Sequence, residues 1–228
     1  TQYSQIQHRL SLLSAWFGSV AEAKHELEGK SILEIGCGQG DMTATLAHFV
    51  STPDSTIERT PTSNVGNVLA VDPAPLDYGS PFTLGQAQGH LSSNAQVGKV
   101  IRWVQAQPTE VIDRLVQDEV EVGYVVLAHC LLYFESAQYL SQLLDRVRSL
   151  ATYNAGLKVL VAEWACQIPA SKEAMPHYLA IEVQKAHPLP GANVQTVLKP
   201  VEIKYAATAA GWKIEKEETV ESPKIEDG

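Results

Sequence analysis

Cysteine is scarce in this 228-residue chain: there are three, Cys37, Cys130 and Cys166, odd in number and far apart. That excludes a disulfide framework and fits free thiols in a reducing compartment. No CxxC pair and no HExxH helix offers metal ligands, so no metal is expected. Positive charge is also thin, with 17 Lys and Arg against 26 Asp and Glu, a net charge of −9 and no local basic cluster. Such a surface repels phosphate backbones, which argues against nucleic acid as a partner. Long apolar runs are missing too. Val125 to Ala128 and Leu157 to Ala162 break off well short of the ~20 residues of a membrane span. Thr1 to Leu10 mixes Gln, Ser, His and Arg and lacks the apolar stretch of a secretory signal. The expectation is a cytoplasmic protein with no membrane partner.

What the chain does have is apolar content, 45% of residues, enough for one sizeable core and a single domain over 1–228. Ile6, Leu10, Leu13 and Phe17 recur at helical spacing, predicting an N-terminal helix over 4–18. Short apolar runs then alternate with helical patterns. Strands are expected at 31–35, 68–71, 100–104, 122–127 and 158–164, with helices at 41–50, 84–92, 108–116, 136–150 and 200–210. Ser51 to Gly66, rich in Ser, Thr and Pro, reads as a long surface loop. Residues 165–198 are too many for a plain connection and read as a lid-like insertion carrying a helix over 171–185. A sixth strand is expected over 212–220, and a longer parent chain is the alternative to a six-strand sheet. The fold class is α/β, a doubly wound, mostly parallel sheet with a helical lid insertion before the last strand, and its ligands should bind beyond the carboxyl ends of the strands.

The strand at 31–35 runs into Glu34-Ile35-Gly36-Cys37-Gly38-Gln39-Gly40-Asp41 and then a helix. Glycines at 36, 38 and 40 allow a tight turn that lets a ligand lie on the backbone at a helix start. A dinucleotide loop has its third glycine where this chain has Asp41. A carboxylate there repels a pyrophosphate by about 1 to 4 kcal/mol at contact separation, for dielectrics between water and protein surface. S-adenosylmethionine has no phosphate and carries an ammonium and a sulfonium, so acids at 34 and 41 attract it. Asp72, in Val71-Asp72-Pro73 at the end of the second strand, can accept hydrogen bonds from both ribose hydroxyls.

Ile32 to Gly40 resembles motif I of the class I S-adenosylmethionine-dependent methyltransferases, and Val71-Asp72 resembles the acidic end of their second strand. The resemblance extends from Ser31 to Trp164 in element order. It implies that Glu34 and the loop of Gly36, Cys37, Gly38 and Gly40 hold the methionine part, with Asp41 beside them, while Asp72 and Pro73 lie at the ribose. The family commonly places an acid and a small residue after the third strand to read the adenine amine. This chain has Gln105-Ala106-Gln107 there, where either amide oxygen can accept that hydrogen bond and Ala106 can lie against the ring.

The fourth strand ends in Ala128-His129-Cys130-Leu131-Leu132-Tyr133. This is neither an N-P-P-Y motif nor the acidic cluster of a magnesium-dependent catechol enzyme. His129 is the candidate general base, since imidazole titrates near neutrality, and a hydrogen-bonded structural histidine is the alternative. Ala128 is a candidate cofactor contact. Tyr133, Trp164, His177 and Tyr178 are candidate acceptor-pocket residues, while Tyr3, His8 and Trp16 are candidates to close over the cofactor or simply to pack. The expected activity is methyl transfer from S-adenosylmethionine, leaving S-adenosylhomocysteine, to an O, N or S atom of a small, partly apolar acceptor. A nicotinamide-dependent oxidoreductase and a non-methylating subunit of the same fold are the alternatives. Nothing in the sequence separates a monomer from a homodimer.

Overall fold

Five short segments rich in β-branched residues build the sheet, the two at its centre buried along almost their whole length. The computed structural model describes residues 3–51, 66–166, 172, 175–187 and 193–220. Its strands are β1 (Ser31–Ile35), β2 (Asn67–Asp72), β3 (Ile101–Gln105), β4 (Tyr124–Ala128) and β5 (Lys158–Ala162). All pair in parallel, in the order β3-β2-β1-β4-β5. A parallel sheet needs both faces covered. Ile32, Val68, Ala70, Tyr124 and Val126 meet Leu13, Leu27, Met42, Leu46 and Phe49 on one side. These come from helices α1 (Tyr3–Phe17), α2 (Val20–Leu27) and α3 (Asp41–Val50). Leu33, Ile35, Val71, Val125 and Leu127 meet Ile112, Leu140, Leu143, Leu144 and Ala206 on the other. These belong to α5 (Pro108–Gln117), α6 (Ala137–Ser149) and α8 (Pro200–Ala209). Between them in sequence lie α4 (Leu84–Ser92) and α7 (Met175–Ala186).

Strand β1 sits between β2 and β4. The chain leaves β1 toward α3 on one face and leaves β4 toward α6 on the other. This divergence at neighbouring strands is the topological switch point where doubly wound sheets open a crevice. The glycine loop and His129 therefore stand side by side at its mouth.

Two expectations change. Residues 212–220 form no strand. Lys213, Glu215, Lys216, Glu217 and Glu218 make that segment strongly charged, and it is held by side chains: Lys158 Nζ is 3.7 Å from Glu215, and Lys204 Nζ is 2.8 Å from Glu217. The sheet has five strands among the described residues. Helix α2 was not expected; Gly18, at φ +98°, ends α1, and the Ser19 hydroxyl caps the new helix by accepting from the Glu22 N–H at 3.1 Å. Of the loop expected over 51–66, residues 52–65 lie outside the described residues, as does part of the 165–198 insertion, within which α7 runs. No described helix is long and apolar enough to cross a membrane.

Candidate functional site

The loop after β1 is fixed by its backbone. The N–H groups of Gly36 and Cys37 donate to the Val71 carbonyl at 2.8 and 3.2 Å. Gly36, Gly38 and Gly40 all have positive φ, at +71°, +52° and +95°, where a side chain is strained. The three differ in surroundings. A Cβ at Gly36 would stand 2.4 Å from Cβ of Cys130, so this glycine admits the loop after β4. One at Gly40 would strike the Trp103 ring at 2.6 Å and Leu91 at 2.7 Å. At Gly38 it would meet nothing within 4 Å. Packing explains the outer glycines; the middle one leaves a cradle open.

Asp72 holds that cradle. Its Oδ2 accepts from the Gly38 N–H and its Oδ1 from the Ala74 N–H, both at 2.9 Å. An ionised carboxylate has about four acceptor sites, so capacity for ribose hydroxyls remains. From α4, the buried Gln88 donates its Nε2–H to the Gly38 carbonyl at 2.9 Å. A small cleft lined by Ala70, Asp72, Ala74, Leu76, Gln88, Val104 and Gln105 continues from the cradle along the ends of β2 and β3. Gln105 pairs in register with Asp72 and is exposed, Gln107 is the exposed residue preceding α5, and Ala106 packs on the core. Pro73 is exposed.

Glu34 is 2% exposed, and its Oε2 is a buried atom with no hydrogen-bond partner. Burial pushes its carboxyl up to about 8, with the nearby acids Asp41 and Asp72 adding to the rise and Thr43 and Arg9 opposing it. Such an orphaned atom is costly unless a cationic or donor ligand meets it. Together with the open space at Gly38, it fits the aminoacyl end of S-adenosylmethionine. Asp41 occupies the first turn of α3, where a carboxylate suits the helix dipole. Burial pushes the thiols of Cys37 and Cys130 up, so neither is a ready nucleophile.

Across the switch point, Ala128 pairs with Ala162, and the chain then turns through His129 at φ +56°. The His129 N–H donates to the Ala162 carbonyl at 2.8 Å. Its ring stacks on Trp164, centroids 4.6 Å apart, and its Nε2 lies 2.7 Å from Nε2 of His8 on α1. On the other side His129 Nδ1 is 3.6 Å from Oε1 of Glu163. Glu163 is itself fixed, accepting from the N–H groups of Leu131 and Trp164, each at 2.8 Å. His8 is buried, and its Nδ1 has no hydrogen-bond partner. Burial lowers its pKa to about 4, with His129 and then Arg9 contributing, so it stays neutral near neutrality. Glu163 was not singled out from sequence, although an acid directly after a strand of a parallel sheet is a signal of its own. Neither Arg9 nor Gln88 carried any signal in the sequence.

Of the other pocket candidates, Trp164 joins His129, and Tyr133 lies 54% exposed on the turn after β4. His177 is exposed and Tyr178 half-buried on α7; it is Ile181 of that helix that packs with Trp164 around Leu132, Cys166 and Val197. Trp16 donates to the Val161 carbonyl at 3.4 Å and so packs on the sheet, and Tyr3 is exposed. Among the described residues no group of three or more His, Cys, Asp or Glu side chains is placed to hold a metal.

No protein-family model matches the chain. Two curated proteins of Diaporthe leptostromiformis, the methyltransferases phomM′ and phomM, are 27% and 26% identical to it over 226 residues, covering 86% of this chain and 56% of each relative. The chain thus spans little more than half the length of these relatives. Magnesium protoporphyrin IX methyltransferase from Synechocystis PCC 6803, solved with S-adenosylhomocysteine, shares the fold with a TM-score of 0.52 at 15% identity, over 91% of this chain and 73% of that one. A cyclopropane-fatty-acyl-phospholipid synthase-like protein from Lactobacillus casei ATCC 334 is 32% identical, with a TM-score of 0.69, covering 92% of this chain and 68% of its own. Identity at that level, sustained over most of both chains, makes the chain a member of the class I S-adenosylmethionine-dependent methyltransferase family.

Proposed function

We propose that the protein transfers a methyl group from S-adenosylmethionine to an O, N or S atom of a small, partly apolar acceptor. The observation that carries this reading is the cradle at Gly38, open on its ligand side, tied to Asp72 and neighboured by the orphaned carboxyl of Glu34. Bound there, the cofactor supplies an electrophilic methyl group on a sulfonium. The chain supplies the rest. Asp41, joined by Glu34 once an ammonium draws off its proton, gives a negative potential suited to a cation, Asp72 orients the ribose, and Gln105 or Gln107 with Ala106 borders the adenine.

His129 stands where the acceptor must approach, with Glu163 against its Nδ1 and His8 against its Nε2. With the Nδ1 proton of His129 toward Glu163, His8 donates its Nε2–H to His129, and the lone pair of His8 Nδ1 is left for a proton. Because burial holds the pKa of His8 at about 4, the pair is a weak base that orients the acceptor and takes its proton only transiently. Alignment in a site closed to water supplies much of the remaining rate. Trp164, Tyr133 and helix α7, which carries His177 and Tyr178, form the acceptor side. The methyltransferase names of the fungal relatives and the acidic charge of the chain support a small molecule over nucleic acid.

A thermal-shift comparison tests the cofactor: S-adenosylhomocysteine should raise the melting temperature and NADH should not. Stabilisation by NADH alone would replace this reading with an oxidoreductase. Mass-shift screening of acceptor pools, with S-adenosylhomocysteine released in proportion to product, then separates an enzyme from a silent subunit. Asp72→Ala should weaken S-adenosylhomocysteine by about 1 to 3 kcal/mol through unpaired polar groups.

A further inference from the structure

The acids around the cradle account for the positive part of an aminoacyl tail and leave its negative part without a partner. Glu34, Asp41, Asp72 and Glu163 all belong to this neighbourhood, and a zwitterionic tail brings a carboxylate into it. One cation is on hand. Arg9, on α1 next to His8, is half-buried, and its Nε is a buried atom without a hydrogen-bond partner. Asp41, Glu34 and Glu163 all act on it electrostatically, yet among the described residues none comes within 4 Å to form an ion pair with it. A guanidinium partly removed from water, short of a hydrogen-bond acceptor and held at a distance from three acids is arranged for an anion that is not part of the chain.

We propose that Arg9 receives the carboxylate of the cofactor's aminoacyl tail, so that helix α1 is fastened over the site by the ligand itself. This rests on the reading that the cradle binds S-adenosylmethionine. A guanidinium presents two parallel N–H groups to a carboxylate, a match that a lysine ammonium lacks. Because His8 is the neighbour of Arg9 on the same helix, holding the tail also holds His8 against His129 and Trp164. The contact of His8 with His129 and Trp164 is already made in the free chain, and a cofactor with an intact tail reinforces it. The rival account, in which Arg9 merely neutralises the acids, treats every adenosine ligand alike.

The test compares S-adenosylhomocysteine with its decarboxylated analogue, S-adenosyl-3-thiopropylamine, by calorimetric titration of wild type, Arg9→Gln and Arg9→Lys. Wild type should prefer S-adenosylhomocysteine. Arg9→Gln should lose about 10- to 100-fold for S-adenosylhomocysteine, the worth of a charged hydrogen bond, while keeping its affinity for the analogue, which also verifies that the variant is folded. Arg9→Lys should fall between. Equal affinities in wild type, or parallel loss of both ligands in Arg9→Gln, overturns the role of Arg9 and leaves the cofactor reading standing. Wild type that binds neither ligand overturns both.

Discussion

The Nε2 atoms of His8 and His129 lie 2.7 Å apart, joining residues 121 positions distant in the chain. The bond fastens α1 to the turn after β4, and Trp164 stacks on both rings. If these imidazoles accept the acceptor's proton, His129→Ala should lower turnover by about 100-fold or more, within the span of general-base effects, and leave S-adenosylhomocysteine affinity unchanged. His8→Ala should lower turnover as well. Full activity in His129→Ala would reduce the pair to a structural contact.

The same pair makes stability depend on pH. His8 is held neutral, its pKa lowered from 6.5 to about 4 first by burial, then by His129 and Arg9. Between those values the unfolded chain binds a proton at this residue that the folded chain refuses, so stability rises with pH across the window and is lost on acidification. Urea unfolding across that range should show a shallower pH slope in His8→Asn than in wild type. Identical slopes would mean that His8 takes up its proton without cost to the fold.

Much of this architecture was legible in the residues. The bounds of β1, α3 and α4 followed from the apolar pattern, because local preference and burial agree there; the structure adds a capping box of Thr83 with Gln86 at the start of α4. The charged segment 212–220, expected as a sixth strand, forms none: strand pairing depends on a partner that lies elsewhere in the chain. The site divides the same way. The glycines, Asp41 and Asp72 are contiguous with their own turn geometry and could be read directly. Arg9, Gln88 and Glu163 matter through contacts made only once α1, α4 and β5 have docked, and sequence spacing carries no record of docking.

The three glycines should separate stability from binding. Gly40→Ala places a methyl group against Trp103 and Leu91 at positive φ, and should cost about 1 to 3 kcal/mol of folding stability by overpacking and backbone strain. Gly38→Ala bears only the strain of its φ, about 1 to 2 kcal/mol, since nothing lies within 4 Å of the new atom. It should nevertheless lose S-adenosylhomocysteine binding, because the methyl group fills the cradle. Chemical denaturation and calorimetry on both variants check this, and a Gly38→Ala protein with undiminished affinity would show that the ligand lies elsewhere.

Glu34 should report ligand arrival by giving up a proton. Its carboxyl, pushed up to about 8 by burial, is protonated near neutrality in the free protein. An ammonium placed near it favours the ionised form, since an opposite charge at close range lowers a carboxyl pKa. Binding of S-adenosylhomocysteine near neutral pH should therefore release a proton to the solvent. Titrations in phosphate and in Tris, whose ionisation enthalpies differ widely, should give different apparent binding enthalpies in wild type and matching ones in Glu34→Gln. Linkage also requires wild-type affinity to strengthen as pH rises toward about 8. An enthalpy independent of buffer in wild type would mean that Glu34 keeps its proton, and its part in holding the methionine end would then be that of a neutral hydrogen-bonding group.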